Sequence, residues 1–132
     1  MRPVAKKRIG ECIVLKDGTM HTVQEDYKPY GKARPVLLAN LGNYCSYCED
    51  VFHSGTNLQT EHIQPKGLDV SGVKPYQELS TKWDNFLLGC ATCNGKGNKG
   101  DKDVHLNDIH LPHRNNTYLS LLYKEAGVVI PN

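Results

Sequence analysis

The sequence has few of the features that identify membrane, secreted or strongly basic proteins. Its 132 residues contain no apolar run near the roughly 18 residues that a membrane span needs. The N-terminus is basic and lacks the apolar stretch of a secretory signal, so we expect a cytoplasmic chain. Aromatic residues make up only 8% of the sequence and the net charge is only +2. Overall basicity therefore does not argue for a nucleic-acid partner, and only local basic patches could contact phosphates.

A nucleotide-binding loop of the form G-x4-G-K-[ST] is also missing from the sequence. The loop's glycines and lysine are needed to cradle the phosphates of a nucleotide, and no other stretch supplies that pattern. Any control by ATP would therefore come from another chain.

Cysteine is the residue type whose spacing is most informative. Five cysteines are present, and four of them form the pairs Cys45/Cys48 and Cys90/Cys93, each with two residues between. Such pairs in a cytosolic chain are more typical of a metal site than of disulfides, with buried free thiols as the simple alternative. Four thiolates predict one structural Zn²⁺ in a tetrahedral site. Cys12 is left over, and we expect it to be partly buried and inert.

The first forty residues predict one hairpin and the start of one helix. Residues 12–23 hold two short apolar runs around Asp17-Gly18, which is a strong turn signal. Pro35 suits the first turn of a helix and Gly42 suits the left-handed position just past its end. We therefore expect a β-hairpin, and then a short helix that leads into the first cysteine pair.

The stretch between the cysteine pairs predicts one strand. Residues 57–65 would form it and end at Pro65, with Leu58, Thr60 and His62 on one face. Residues 66–80 show little periodicity and are expected to be a surface insertion. The glycines that follow Cys93 oppose a stable helix there.

A single acidic residue stands beside a histidine between the cysteine pairs. Hydrolysis of a phosphodiester needs a positioned water, a base and positive charge at the leaving oxygen. His62 suits the base because imidazole titrates near neutral pH, although a structural histidine is the common alternative. Glu61 and Asn94 offer oxygen ligands that suit a catalytic Mg²⁺ or Mn²⁺. Asn85 would bond the backbone around His62 and fix its ring.

The remaining polar candidates have simpler alternatives. Asn85 and Asn94 could instead cap helices, as asparagine often does. Lys96 and Lys99 could contact flanking phosphates, or could belong to a solvated loop. The C-terminal histidines are spaced irregularly, so we favour surface or interface roles for them over a second metal site; they are His105, His110 and His113.

The order of these residues resembles the HNH, or ββα-metal, nuclease family. The matching pieces are Cys45-x2-Cys48, Glu61-His62-Ile63-x-Pro65 and Asn85-x4-Cys90-x2-Cys93-Asn94-x-Lys96. The resemblance implies an α+β fold with a small ββα-metal core and a four-cysteine zinc ribbon. It also implies catalytic roles for His62 and Asn85, and catalytic metal ligation by Glu61 and Asn94. An N-terminal arm with a hairpin and a C-terminal tail would complete the chain.

A narrower resemblance concerns the PtuB-like HNH subunits of Septu-type and retron-associated anti-phage systems. The stretches that carry it include residues 44–49, 83–88 and 110–116. These subunits work beside a PtuA-like SMC/ABC-type ATPase, so the resemblance implies a hetero-oligomer active in antiviral defence. We expect an N-terminal segment at 1–40, the nuclease core at 41–100 and an extension at 101–132 whose C-terminal region is incomplete.

Apolar residues in the two ends predict where such a partner docks. They have no obvious core to join, and exposed apolar groups of this kind mark protein interfaces. They are Val4 and Ile9 in the arm, and Tyr118, Leu119, Leu122, Tyr123 and 128–130 in the tail.

Two functions are consistent with these features. The first is a metal-dependent HNH endonuclease, a phosphodiester hydrolase acting on nucleic acid. The second is a zinc-ribbon module that binds nucleic acid or a partner without cutting. A ribbon needs the cysteines but has no use for the polar residues between and after them. The two hypotheses therefore differ in whether Glu61, Asn94 and His62 converge.

Overall fold

The computed structural model describes residues 3–132, apart from the side chains of residues 117 and 118. The first two residues of the predicted arm, and Tyr118 of the predicted interface, lie outside this description. Short elements make up the described part: β1 (Cys12–Val14), β2 (Met20–Thr22), α1 (Arg34–Leu41), β3 (Leu58–His62), β4 (Phe86–Cys90), α2 (Ala91–Asn94), α3 (Thr117–Ser120), β5 (Leu121–Tyr123) and β6 (Val129–Pro131). Single 3-10 turns cover Tyr30–Ala33, Gln77–Leu79, Trp83–Asn85 and Glu125–Gly127.

The predicted N-terminal hairpin is present. Strands β1 and β2 pair antiparallel, with Ile13 opposite His21. The Asp17 carboxylate accepts a hydrogen bond from the Thr19 amide at 2.9 Å, and Gly18 has a φ of +86°. A hydrogen bond accepted by the Asp17 side chain and a positive φ at Gly18 are the features that make Asp-Gly a turn signal. The expectation that Cys12 is partly buried was wrong, because its side chain faces solvent on the hairpin.

Helix α1 lies where proline and glycine predicted it. Pro35 is in its first turn, and Gly42 ends it with a φ of +81° that an L side chain adopts only with strain. Its buried residues are Val36, Leu37, Leu38 and Leu41. The helix packs against β3 and β4, which pair to form the central hairpin.

The central hairpin pairs β3 with β4 in antiparallel register. Leu58 lies opposite Cys90, and His62 lies opposite Phe86. Strand β3 lies within the predicted range 57–65, but the predicted end at Pro65 was wrong, because the backbone bends at residues 63 and 64 and the strand ends at His62. The sequence did not predict β4, because all five of its residues are buried and it therefore shows no alternation of apolar and polar side chains.

Helix α2 is a single turn that follows β4 directly. It ends at Asn94, before the glycines that were expected to oppose a helix. The protein is thus a small mixed α/β structure, and its elements β3, β4 and α2 follow the order of a ββα unit. Since α2 has only one turn, the ββα-metal arrangement in its full form stays a prediction.

One hydrophobic core takes residues from all three predicted segments. The segment at 41–100 supplies Trp83, Phe86 and Leu88, but Tyr27 precedes it and Leu111 follows it. The N-terminal arm is pinned to this body through Val4, whose amide donates to the Pro112 carbonyl at 2.8 Å. Val4 also packs against the core, so the prediction that it has no core to join was wrong.

The C-terminal hairpin of β5 and β6 is the exposed end of the described chain. Leu122 pairs with Ile130, and the large apolar side chains here remain open to solvent; they are Leu119, Leu122, Tyr123, Val128 and Val129. Within residues 3–132, no helix has the length and apolarity that crossing a bilayer requires.

Candidate active site

The four paired cysteines converge at one end of the central hairpin. The sulfur atoms of Cys45, Cys48, Cys90 and Cys93 all lie within 4.8 Å of one another, and those of Cys48 and Cys90 are 4.0 Å apart. A tetrahedral zinc with bonds of about 2.3 Å places its sulfurs about 3.8 Å apart. The cluster therefore fits the predicted metal site with only a small contraction.

Backbone hydrogen bonds bring the two pairs together. The amide of Ser46, between Cys45 and Cys48, donates to the Leu88 carbonyl of β4 at 2.8 Å. Further along β4, the Cys90 amide donates to the Cys45 sulfur at 3.4 Å. The first pair is thus tied to β4, which ends at Cys90 of the second pair, and a bound zinc would reinforce this crosslink.

His62 is held at the end of β3 with one ring nitrogen already engaged. Its Nε2 lies 2.8 Å from the Ser80 carbonyl oxygen, which can only accept, so Nε2 carries the proton in the neutral ring. Tyr30 and Phe86 contact the ring edge-to-face at centroid distances of 4.7 and 5.3 Å. Nδ1 is therefore the nitrogen that can take a proton from a water molecule.

Burial favours the neutral form of this ring. His62 is 8% exposed, and its pKa is lowered mainly by burial, with smaller contributions from the charges of Lys66 and Lys99. The hydrogen bond to Ser80 opposes the shift. A neutral imidazole at neutral pH is the state that a general base requires.

Glu61 is a buried carboxylate with both oxygens bonded. Its Oε1 lies 2.8 Å from the Lys99 ammonium, and its Oε2 accepts from the Tyr47 hydroxyl at 2.5 Å. Burial raises the pKa of Glu61, while Lys99 and then Tyr47 oppose the rise. The pKa of Tyr47 is itself raised, by burial and by the Glu61 charge, so its hydroxyl remains a donor.

The two predicted phosphate-binding lysines differ in their surroundings. Lys96 is exposed and lines the cleft beside Glu61 and His62. Lys99 is mostly buried, and its ammonium also donates to the His62 carbonyl at 2.7 Å. The phosphate contact predicted for Lys99 stays a prediction, and it requires Lys99 to leave Glu61.

The predicted general base and the two predicted ligands of the catalytic metal line one cleft of about 540 Å³. Glu61 and His62 reach it from β3, and Asn94 reaches it from the end of α2. The Asn94 amide nitrogen lies 3.5 Å from the Gln59 side-chain oxygen, which leaves its own oxygen available. Carboxylate and amide oxygens of this kind fit Mg²⁺ or Mn²⁺, so the donor set suits the predicted cation.

Asn85 lies behind this cleft and holds the chain that follows His62. Its side-chain oxygen accepts from the Gln64 amide at 2.9 Å, and its nitrogen donates to the Gln64 carbonyl at 3.0 Å. The Ile63 amide donates to the Asn85 backbone oxygen at 2.9 Å. Asn85 therefore positions the backbone around His62, while Ser80 orients the ring.

Sequence reasoning missed several side chains that shape the site. Tyr30, Lys66 and Arg34 line the same cleft, and the Lys66 ammonium lies 4.1 Å from the centre of the Tyr30 ring. Tyr47 lies between the two cysteines of the first pair, and its spacing there predicts no role in the site. Its contact with Glu61 joins residues fourteen positions apart and has no local sequence signal.

The C-terminal histidines do not form a cluster with other metal-ligating groups in the described residues. His105 and His110 are exposed, which agrees with the expected surface roles. His113 differs, because its Nδ1 is buried and has no hydrogen-bond partner among the described residues.

Comparison with known proteins supports the family suggested by the sequence. The HNH endonuclease family model matches residues 45–100. Septu protein PtuB of Bacillus mycoides (strain KBAB4) is 28% identical over 65 residues, which cover 45% of this chain and 22% of that protein. The aligned part thus spans roughly a fifth of the curated relative. No solved structure gives a significant match. Residues 45–100, which carry the cysteine cluster and the Glu61–His62 cleft, therefore match the HNH endonuclease family, and part of the chain is similar to PtuB.

Proposed function

We propose that this protein is a metal-dependent endonuclease that hydrolyses phosphodiester bonds in nucleic acid. The observation that supports the proposal is the single cleft that Glu61, His62 and Asn94 all line. A zinc ribbon that only binds has no use for a neutral buried histidine beside a buried carboxylate. The family match at residues 45–100 adds independent support.

His62 is the general base of the proposed reaction. The Ser80 carbonyl holds its Nε2 proton, so Nδ1 accepts the proton of the attacking water. The aromatic contacts with Tyr30 and Phe86 keep the ring in place while it changes charge. The backbone bonds of Asn85 hold the residues that follow His62, which makes Asn85 a positioning residue.

Glu61 and Asn94 are the residues that would hold the catalytic Mg²⁺ or Mn²⁺. When bound, such a cation supplies positive charge at the phosphate and at the leaving oxygen. Lys66 and Lys96 add positive charge along the same cleft, where flanking phosphates would lie. The cysteine cluster would hold a structural Zn²⁺, which would fix α2, and with it Asn94, against β4.

The similarity to PtuB supports a proposal about the biological setting. We infer a cytoplasmic effector subunit of an anti-phage system of the Septu or retron-associated type, acting in a complex with a PtuA-like SMC/ABC-type ATPase. The exposed apolar hairpin of β5 and β6 supports a protein partner.

A cleavage assay with and without divalent cation tests this function. The zinc-loaded protein, alone and mixed with the ATPase, is incubated with plasmid DNA and with structured RNA. We expect cleavage that depends on Mg²⁺ or Mn²⁺ and stops on chelation. Binding of either nucleic acid without cleavage under every condition would instead favour the non-catalytic zinc-ribbon module.

A further inference from the structure

The glycine-rich loop after α2 is an ordered segment rather than a frayed helix end. The Lys99 amide donates to the Cys93 carbonyl at 3.0 Å, and the Asn98 side chain donates to the Thr92 carbonyl at 2.7 Å. Gly100 has a φ of +46°, and a Cβ there would lie 3.1 Å from the Lys96 Cα. The loop therefore folds back on α2 in a conformation that needs glycine.

This folded loop places Lys99 against Glu61 and His62, two residues that line the cleft. The Lys99 ammonium lies 2.8 Å from Glu61 Oε1 and 2.7 Å from the His62 carbonyl oxygen. The Lys99 side chain is 13% exposed and that of Glu61 is 2% exposed, so water does little to weaken their attraction. Both partners of the ammonium are oxygen atoms, which are also the ligands that a hard divalent cation takes.

From this geometry we propose that Lys99 is an internal counter-ion that occupies the cation position beside Glu61 and has to leave when a divalent cation binds there. The inference rests on the proposed function, because it takes Glu61 as a metal ligand. Two positive groups on one carboxylate oxygen repel each other strongly in a buried site. The other oxygen already accepts a hydrogen bond from Tyr47, so both oxygens of Glu61 have a partner before the cation binds.

The proposed exchange has two consequences for the site. In the metal-free protein, the Lys99 ammonium neutralises the buried Glu61 carboxylate. An unpaired buried charge would be strongly destabilising. When a cation binds, the Lys99 ammonium is released to the edge of the cleft, next to the position of a substrate phosphate. Lys99 would then set the affinity of the site for the cation, because each binding event must break its ion pair.

Manganese binding to the zinc-loaded protein tests the exchange without reference to activity. Free Mn²⁺ is followed by electron paramagnetic resonance in wild type, Lys99→Met, Lys99→Arg and Lys102→Met. We expect Lys99→Met to bind Mn²⁺ at least tenfold more tightly than wild type. Lys99→Arg keeps the counter-charge, and Lys102→Met removes an exposed lysine that does not line the cleft; both should stay within about twofold of wild type.

Equal or weaker Mn²⁺ binding by Lys99→Met would overturn the counter-ion role. Glu61→Gln separates that failure from failure of the proposed function. If Glu61→Gln weakens Mn²⁺ binding and Lys99→Met does not strengthen it, only the counter-ion role is wrong. If Glu61→Gln leaves Mn²⁺ binding unchanged, Glu61 is not a ligand and both proposals about it are wrong.

The stability of Lys99→Met provides a second measurement. Without its counter-ion Glu61 is unpaired, so the variant should melt below wild type in the absence of divalent cation. Mn²⁺ should then raise its melting temperature by more than it raises that of wild type. If the variant is unfolded without Mn²⁺, refolding in its presence should recover the native circular dichroism, and no recovery would contradict the inference.

Discussion

Gly89 on β4 lies directly against Glu61 on β3, so closely that a Cβ on the glycine would come within 3.0 Å of the Glu61 Cγ. Glu61 cannot easily move away, because Lys99 and Tyr47 hold its two oxygens. The absence of a side chain at position 89 thus makes room for the carboxylate of the site.

The first prediction tests this close approach. Gly89→Ala should destabilise the protein by about 1–3 kcal/mol, the usual cost of forcing one extra methyl into a packed site. It should also weaken Mn²⁺ binding through displacement of Glu61. Gly97→Ala is the matched control, because a Cβ there meets nothing within 4 Å. Equal urea midpoints for the two variants would show that Glu61 is not confined by Gly89.

The second prediction concerns the structural metal. Purified protein should contain one zinc per chain, and Cys45→Ser should lose it together with much of the soluble yield, because one missing thiolate opens the tetrahedral shell. Cys12→Ser should keep its zinc, since that exposed cysteine lies outside the cluster. Elemental analysis decides this, and folded wild-type protein without zinc would refute the assignment.

The third prediction is a pH dependence of stability from His113. Burial lowers the pKa of this ring from 6.5 to about 4, with Lys6 and Arg114 adding to the shift. The unfolded chain therefore takes up a proton near pH 6.5, while the folded protein does so only near pH 4. The free energy of unfolding should accordingly fall as the pH drops through this window.

Urea denaturation at pH values between 7 and 4 measures that effect. His113→Gln should reduce the loss of stability over the window, because glutamine takes up no proton. His110→Gln changes an exposed ring and should follow wild type. Identical pH profiles for all three proteins would show that His113 titrates normally.

The fourth prediction concerns the proposed partner. Val128→Asp places a charge on the exposed C-terminal hairpin and should reduce co-purification with the PtuA-like ATPase at least tenfold. Val73→Asp changes a similarly exposed valine within residues 41–100 and should not. We use point variants rather than a fragment of residues 41–100, because the fragment would lack the core residues that lie outside that range. Equal capture of both variants would rule out docking through this hairpin.

Local sequence signals predicted a substantial part of the fold. Asp17-Gly18 identified the first hairpin, and Pro35 with Gly42 identified α1, because turns and helix ends depend on the conformations of one or two residues. The cysteine pairs predicted the metal cluster, since thiolate ligation requires that spacing. The strand around His62 was predicted to end at Pro65, and it is present but ends at His62.

Long-range packing accounts for what the sequence did not predict. Strand β4 is buried on both faces and lacks the alternation that reveals a half-buried strand. The partners of Glu61 come from the first cysteine pair and from the loop after α2, and only the folded chain brings them together. For the same reason, the sequence predicted a solvated or phosphate-binding Lys99, whereas the structure pairs it with a buried carboxylate.

The central claim is that His62 is the base of a metal-dependent nuclease. Its most direct test is the single-turnover cleavage rate of the assembled complex in Mg²⁺, measured for wild type, His62→Ala and the exposed-residue control His53→Ala. With zinc content equal in all three, His62→Ala should be slower by a factor of about 10² to 10⁴, the usual contribution of a general base, and His53→Ala should match wild type. A His62→Ala rate within a few-fold of wild type would contradict the account.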